Sequence, residues 1–214
     1  MITNEQKEYV KYDNNKLIAK SGYRINDWLP VLETSSMRSL EEIKDRMSVM
    51  NALINISFEA PVYIIKEWVE DQKLSRYLSE VEKGILEKEN EQLNDAEMIS
   101  LRWYLESLWA LMWVTKAIEG LKAEEHVADY MASLLPNLEE GEGNEKLDKL
   151  REMRGEMEVY TMLDLYYRLH WYCVDERING RIPKLDESLV YERRKALEWA
   201  FNRSADWDDV EMAT

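Results

Sequence analysis

One apolar stretch, from Leu101 to Leu121, constrains the fold most. Its leucine and methionine residues recur at three- and four-residue steps, which is helical spacing, and no residue between Leu108 and Val114 is charged. A helix that is apolar on most sides is buried on most sides. The run is too short for a bilayer, which needs about 20 apolar residues. We therefore predict an all-α fold, a single-domain multi-helix bundle around a central buried helix at about residues 101–118.

The rest of the chain also has helical patterns, and the low content of Gly (7 residues) and Pro (4 residues) leaves few breaks for a sheet. Capping-box patterns at Ser39 and Ser79, and a possible one at Asn94, predict helix starts. Gly120 is expected to close the central helix. Further helices are predicted at Glu5–Ala19, Glu124–Leu135, Glu145–Met153, Glu156–Ile178 and, with Asp186 as its cap, about Glu187–Asn202.

The predicted domain organisation is an N-terminal arm, residues 1–30, packed on a single helical domain, residues 31–214. Trp28 and Leu29 are expected to anchor the arm, and Trp207 is expected to bury the C-terminal tail against the body. The Gly- and Glu-rich stretch at 139–144 is interpreted as a surface loop, because charged residues of interest lie on both sides of it.

The composition limits the possible partners. The formal net charge of −15 repels a phosphate backbone, so no nucleic-acid partner is expected. The only cysteine, Cys173, excludes an internal disulfide and a cysteine-based zinc cluster. The first residues show no apolar signal-peptide region, so we expect a cytoplasmic protein with no membrane partner. The acidity favours either a solvated surface or attraction to a basic partner protein.

Charged residues embedded among Leu, Trp and Tyr are the candidate functional residues. Such charges are seldom buried without partners, so we predict that three helices join them in one polar network. Arg102 and Glu106 lie four residues apart on the central helix and therefore share a face. The full candidate set is Arg102, Glu106, Asp164, Arg168, His170, Glu192 and Arg193.

The two histidines are the candidates for catalytic and metal chemistry. His170 is either a general acid/base or, as we favour, a core histidine bonded to a buried polar group, because no Ser or Cys stands in a nucleophile context. His126 is assigned to an exposed helix face. Neither histidine has a Glu three residues before it, as a di-iron bundle requires, and Asp206–Asp209 lacks the pattern of a calcium loop. No phosphate-binding glycine loop is present, so no cofactor and no metal is expected.

Four segments together resemble a known family. They are Arg38–Ile43 with Arg46, Leu101–Trp113, Asp164–Trp171, and Glu192–Trp199 with Trp207–Val210. Their joint order is similar to the bacterial domain-of-unknown-function family 4272, over about residues 25–214. The family usually ends in Asp-Thr, whereas this chain has Ala213 and Thr214 there. The resemblance implies a mostly helical cytoplasmic domain and implies no activity.

Two functional hypotheses follow. The first is a non-catalytic protein–protein interaction module, one form of which is an acidic immunity-type inhibitor of a basic partner. The second is an enzyme or small-ligand-binding protein that uses the buried Arg/Glu/Asp/His cluster. Charges that open into a cleft with unpaired donors would favour the second hypothesis, whereas paired and sealed charges would favour the first. The sequence leaves the oligomeric state open.

Overall fold

The apolar run forms the central helix of the protein, α5. In the computed structural model, which describes residues 2–214, α5 runs from Asp95 to Val114, and every residue from Glu106 to its end is buried. The described residues form eight α-helices and three 3-10 helices and contain no strand, so the all-α prediction is confirmed. The α-helices are α1 Asn4–Lys20, α2 Leu40–Ile56, α3 Val62–Asp71, α4 Glu80–Leu86, α5 Asp95–Val114, α6 Glu145–Asp148, α7 Glu156–Ile178 and α8 Glu187–Phe201; the 3-10 helices are Ser75–Tyr77, Asn90–Gln92 and Asp129–Leu134.

The helices pack in an order that differs from their order in the chain. α5 packs against both α2 and α8, α7 packs on α8, and α1 packs on α7. On the other side of the core, α3 packs on α2, and α4 packs on α3. One cluster of buried apolar side chains includes residues from α1, α2, α3, α5, α7 and α8. Among the described residues, no helix is long and apolar enough to cross a membrane.

Local capping fixes most helix starts where the sequence predicts them. The Ser39, Ser79 and Asn94 side chains each accept a hydrogen bond from the backbone N–H three residues later, and the Glu side chain at that position accepts one from the capping residue in return. Asp186 caps α8 by accepting hydrogen bonds from the Ser188 and Leu189 N–H groups. These caps satisfy backbone donors that would otherwise lack partners in the first turn.

Gly120 does not close α5, so that prediction is wrong. The helix ends at Val114, after which the Thr115 hydroxyl bonds back to the Leu111 and Met112 carbonyls and Lys116 adopts a positive φ of 58°. Arg154, from a distant segment, satisfies the last carbonyls of the helix: its backbone N–H donates to Val114 O at 2.8 Å. Tertiary hydrogen bonds therefore end α5 six residues before the glycine.

Two further predicted helices are wrong. Residues 124–135 begin as irregular structure and continue as the 3-10 helix Asp129–Leu134. An α-helix does not form there because the Lys122 and Glu125 carbonyls accept hydrogen bonds from Arg193. The predicted helix at 145–153 shrinks to Glu145–Asp148.

The two predicted anchors of the N-terminal arm differ from each other. Leu29 is buried, whereas the Trp28 side chain is 93% exposed and is wrong as an anchor. Its backbone N–H donates to the Asn26 side chain, which holds a turn that directs the ring outward. At the other end of the chain, Trp207 is 3% exposed, as the sequence predicts.

Candidate functional site

An ion pair between α5 and α8 is the centre of the candidate site. Arg193 Nε and Nη2 donate to the same Glu106 oxygen, Oε2, at 2.8 and 2.6 Å. The same guanidinium donates to the Lys122 and Glu125 carbonyls and to the Tyr166 hydroxyl. The side chains are 0% and 4% exposed. A charge-assisted pair of this kind locks the two helices together, and its members have few bonds left for a ligand.

His126 lies on the outer side of this pair. Its Nδ1 is 2.9 Å from Glu106 Oε1, the oxygen that Arg193 leaves free. A carboxylate only accepts hydrogen bonds, so Nδ1 is the donor in this contact. Nε2 lies 3.7 Å from Asp186 Oδ2, and the imidazole is 62% exposed. Sequence reasoning assigned His126 to an exposed helix face and missed this contact, because the segment that carries it is not helical and reaches Glu106 of α5 through tertiary contacts.

A second pair joins α7 to the N-terminal helix. Arg168 Nη2 and Nε donate to the two oxygens of Asp164 at 2.7 and 2.8 Å, and both side chains are buried. Asn14 of α1 donates to Asp164 Oδ2 at 2.9 Å and to the Thr161 carbonyl. Arg168 Nη1 is buried and has no hydrogen-bond partner. The pair therefore works as an attachment point for α1, away from Glu106.

Glu192 does not join either pair. It accepts a hydrogen bond from the Ser107 hydroxyl of α5 at 2.8 Å. Burial raises its pKa above the ordinary value, and the Ser107 hydrogen bond offsets part of that rise. Glu192 is thus a polar contact between α5 and α8 that lies one residue from Arg193 without pairing with it.

His170 is held in the core by Arg194. Arg194 Nη1 lies 2.8 Å from His170 Nδ1, which therefore accepts the hydrogen bond, since a guanidinium can only donate. Burial, reinforced by the Arg194 charge, lowers the pKa of His170 to about 4. The same arginine donates to the Met212 and Ala213 carbonyls of the C-terminal tail. His170 is thus a neutral core acceptor at Nδ1.

Arg102 has no hydrogen bond or ion pair with any of these residues. Its guanidinium donates to the Ser57 carbonyl at the end of α2 and lies over the Phe58 ring, 4.8 Å from the centroid. The seven sequence-predicted residues therefore do not form one network. They divide into Glu106 with Arg193, Asp164 with Arg168, His170 with Arg194, Glu192 with Ser107, and Arg102 with the end of α2.

Sequence reasoning missed another buried pair, between Arg46 of α2 and Glu82 of α4. Arg46 Nη1 donates to Glu82 Oε2 at 2.9 Å, and the Tyr104 hydroxyl donates to Glu82 Oε1 at 2.8 Å. Trp207 donates to that hydroxyl and lies beneath the guanidinium, with 4.4 Å to the ring. Burial alone raises the pKa of Glu82, but the Arg46 charge together with the hydrogen bonds from Arg46, Ser79 and Tyr104 outweighs burial, so the net pKa is below the ordinary value. The available signal was Glu82 in the capping box of α4.

Two adjoining cavities form a groove along α5, called the α5 groove below. One, about 550 Å³, is lined by Asp95, Met98, Ile99, Arg102, Trp103, Leu105, Glu106, His126 and Val127. The other, about 570 Å³, shares Leu105 and Val127 and extends over the end of α2 and residues 127–146. Ile99 and Phe58 on its walls are 57% and 60% exposed. Among residues 2–214, no three His, Cys, Asp or Glu side chains are grouped as metal ligands.

The fold and these contacts define an all-α, multi-helix protein whose core contains closed arginine–carboxylate pairs. A family model described as Domain of unknown function (DUF4272) matches residues 11–210, so the chain belongs to that family. The match begins earlier than the resemblance in the sequence, which starts at about residue 25. No curated protein matches the chain. No solved structure matches it.

Proposed function

We propose that the protein is a non-catalytic binding module for a basic partner protein. The observation that carries the proposal is that buried carboxylates are paired with arginines inside the fold. Three buried carboxylates each accept two hydrogen bonds from one arginine, in the pairs Glu82–Arg46, Glu106–Arg193 and Asp164–Arg168. A carboxylate that is paired inside the fold is occupied by its arginine and is not free to act on a substrate. Binding through the protein surface therefore remains as the function.

The surplus of negative charge supports a basic partner. The chain has 43 acidic and 28 basic residues, and its formal net charge is −15. Complementary charge accelerates association and suppresses wrong partners more than it raises affinity. One form of the proposal is an immunity-type inhibitor that covers the basic surface of a toxic enzyme. That form predicts a partner that is toxic when expressed alone and harmless when expressed with this chain.

The test is capture at two salt concentrations. The tagged chain is incubated with extract of its native host at about 50 mM and about 500 mM salt, where surface electrostatics are strong and largely screened respectively. We expect a basic protein that is retained at low salt and released at high salt. The control is an unrelated acidic protein with the same net charge. Retention of nothing, or of the same proteins by both baits, contradicts the proposal.

The second candidate function, an enzyme or small-ligand-binding protein, has one observation in its favour. The Glu106 carboxylate orients the His126 imidazole through Nδ1 and leaves Nε2 available beside the α5 groove, as a carboxylate orients a catalytic histidine. A screen with generic ester and phosphate substrates tests it. Turnover that is lost in His126→Gln and kept in His170→Gln would favour this second candidate over the binding module.

A further inference from the structure

We propose that the α5 groove docks an amphipathic helix of the partner, with apolar side chains in the groove and Lys or Arg at its edges. This rests on the proposed function and adds the place and the chemistry of docking. It goes beyond a general attraction between opposite charges, because it requires one face of one helix and a partner segment with helical spacing.

The size of the groove suits a short helix. Its two cavities, about 550 and 570 Å³, meet at Leu105 and Val127 and so form one continuous depression. The wall from Asp95 to Glu106 belongs to α5, and eleven helical steps of about 1.5 Å span about 17 Å. A partner helix of about three turns has the same length.

The groove exposes apolar surface that an isolated chain would be expected to cover. Ile99 and Phe58 are more than half exposed, and Met98, Trp103 and Leu105 are only partly buried. Contiguous apolar surface bordered by polar residues is typical of interaction sites. An occupant with apolar side chains at positions i, i+3, i+4 and i+7 would cover it.

The charges around the groove select a cationic occupant. Asp95, Asp129 and Glu140 line it, and among the described residues none of their side chains has a hydrogen bond or an ion pair. The Arg102 guanidinium is already bonded to the Ser57 carbonyl. Three free carboxylates thus surround an apolar floor, which is complementary to a helix with Lys or Arg beside its apolar face.

The other charged residues that line the groove leave its net charge negative. Glu106 is neutralised by Arg193, and Glu142 pairs with Lys146 at 2.8 Å. A second copy of the chain is a poor occupant, because two molecules that each have a formal charge of −15 repel one another.

The experiment uses a synthetic Leu/Lys peptide of about four turns, patterned as an amphipathic helix. Amide chemical shifts of the full chain are followed by NMR at low salt during its addition. A scrambled peptide with the same composition but no apolar face is the matched control. We expect shifts in residues 95–106 and 126–138 with the patterned peptide, and at least about tenfold weaker binding with the scrambled one.

Two substitutions make the test specific to the groove. Ile99→Glu puts a charge on the apolar wall and should weaken peptide binding at least about tenfold, since buried apolar anchors dominate such interfaces. Ile182→Glu changes an equally apolar side chain, 91% exposed and outside the groove lining, and should leave binding unchanged. Circular dichroism of both variants verifies that each is folded. Gel filtration of the free chain tests the second-copy alternative.

The outcomes separate this inference from the proposed function. Three results would contradict docking in the α5 groove. They are chemical-shift changes elsewhere on the chain, equal binding of the scrambled peptide, and no peptide binding at low salt. A dimer of the free chain that Ile99→Glu dissociates overturns it also. If the Ile99→Glu bait retains the native basic partner as well as the wild type does, the partner does not dock in the α5 groove, while the proposed binding function still holds.

Discussion

Replacing Arg193 with Ala removes a heavily bonded charge from the core. The guanidinium makes five hydrogen bonds: two to Glu106, and one each to Tyr166, Lys122 and Glu125. The Glu106 side chain is 4% exposed, so the substitution leaves a buried carboxylate without its cation. The loss of one partner of a buried pair costs about 3–5 kcal/mol. The total stability of a protein is only about 5–15 kcal/mol.

Urea denaturation measures this loss as a lower midpoint at unchanged slope. Glu41→Ala is the control, because its side chain is 74% exposed and its pair with Lys44 is worth at most about 1 kcal/mol. The double variant Glu106→Gln/Arg193→Met should lose less than Arg193→Ala, since it leaves no buried charge unpaired. The reasoning is refuted if Arg193→Ala shifts the midpoint no more than Glu41→Ala does.

Three other substitutions test separate contacts. Because burial and the Arg194 charge lower the pKa of His170 to about 4, the unfolded chain takes up that proton first as the pH falls. The wild type should therefore lose stability relative to His170→Gln between about pH 6.5 and pH 4, and parallel curves of urea midpoint against pH would contradict this. Trp207→Ala should cost about 3–5 kcal/mol because the buried ring also bonds Tyr104, and an unchanged melting temperature would mean that the tail is not docked. Trp28→Ala should change the free energy of unfolding by less than about 0.5 kcal/mol, since the ring is exposed, and a larger loss would restore its role as an anchor.

Sequence reasoning predicts the parts of this fold that local chemistry decides. α7 runs from Glu156 to Ile178 and α8 starts at Glu187, as the apolar spacing and the Asp186 cap indicate. The Asp164–Arg168 contact is also local, since residues four apart share a helix face. Such features depend on neighbours in the sequence and not on the arrangement of the helices.

The sequence cannot predict contacts that arise only when distant segments meet. Glu106 and Arg193 are 87 residues apart, and only the packing of α5 on α8 places them together. The segment that carries His126 has the pattern of a helix, yet hydrogen bonds from Arg193 to its carbonyls hold it in another conformation. Arg102 and Glu106 share a helix face because they are four residues apart. The Arg102 guanidinium nevertheless donates its hydrogen bond to the Ser57 carbonyl at the end of α2. Residue spacing predicts which side chains share one face of a helix. It does not predict which other helix or segment packs against that face.

Hydrogen exchange on the complex with the native partner tests the central claim most directly. The claim is that the charged core maintains the fold while the α5 groove binds a basic helix. Amide exchange in residues 95–106 and 126–138 should slow when the partner is added, because binding there reduces local opening. Exchange in α1, far along the chain from the groove, should not change. Protection confined to segments outside the groove would contradict the claim.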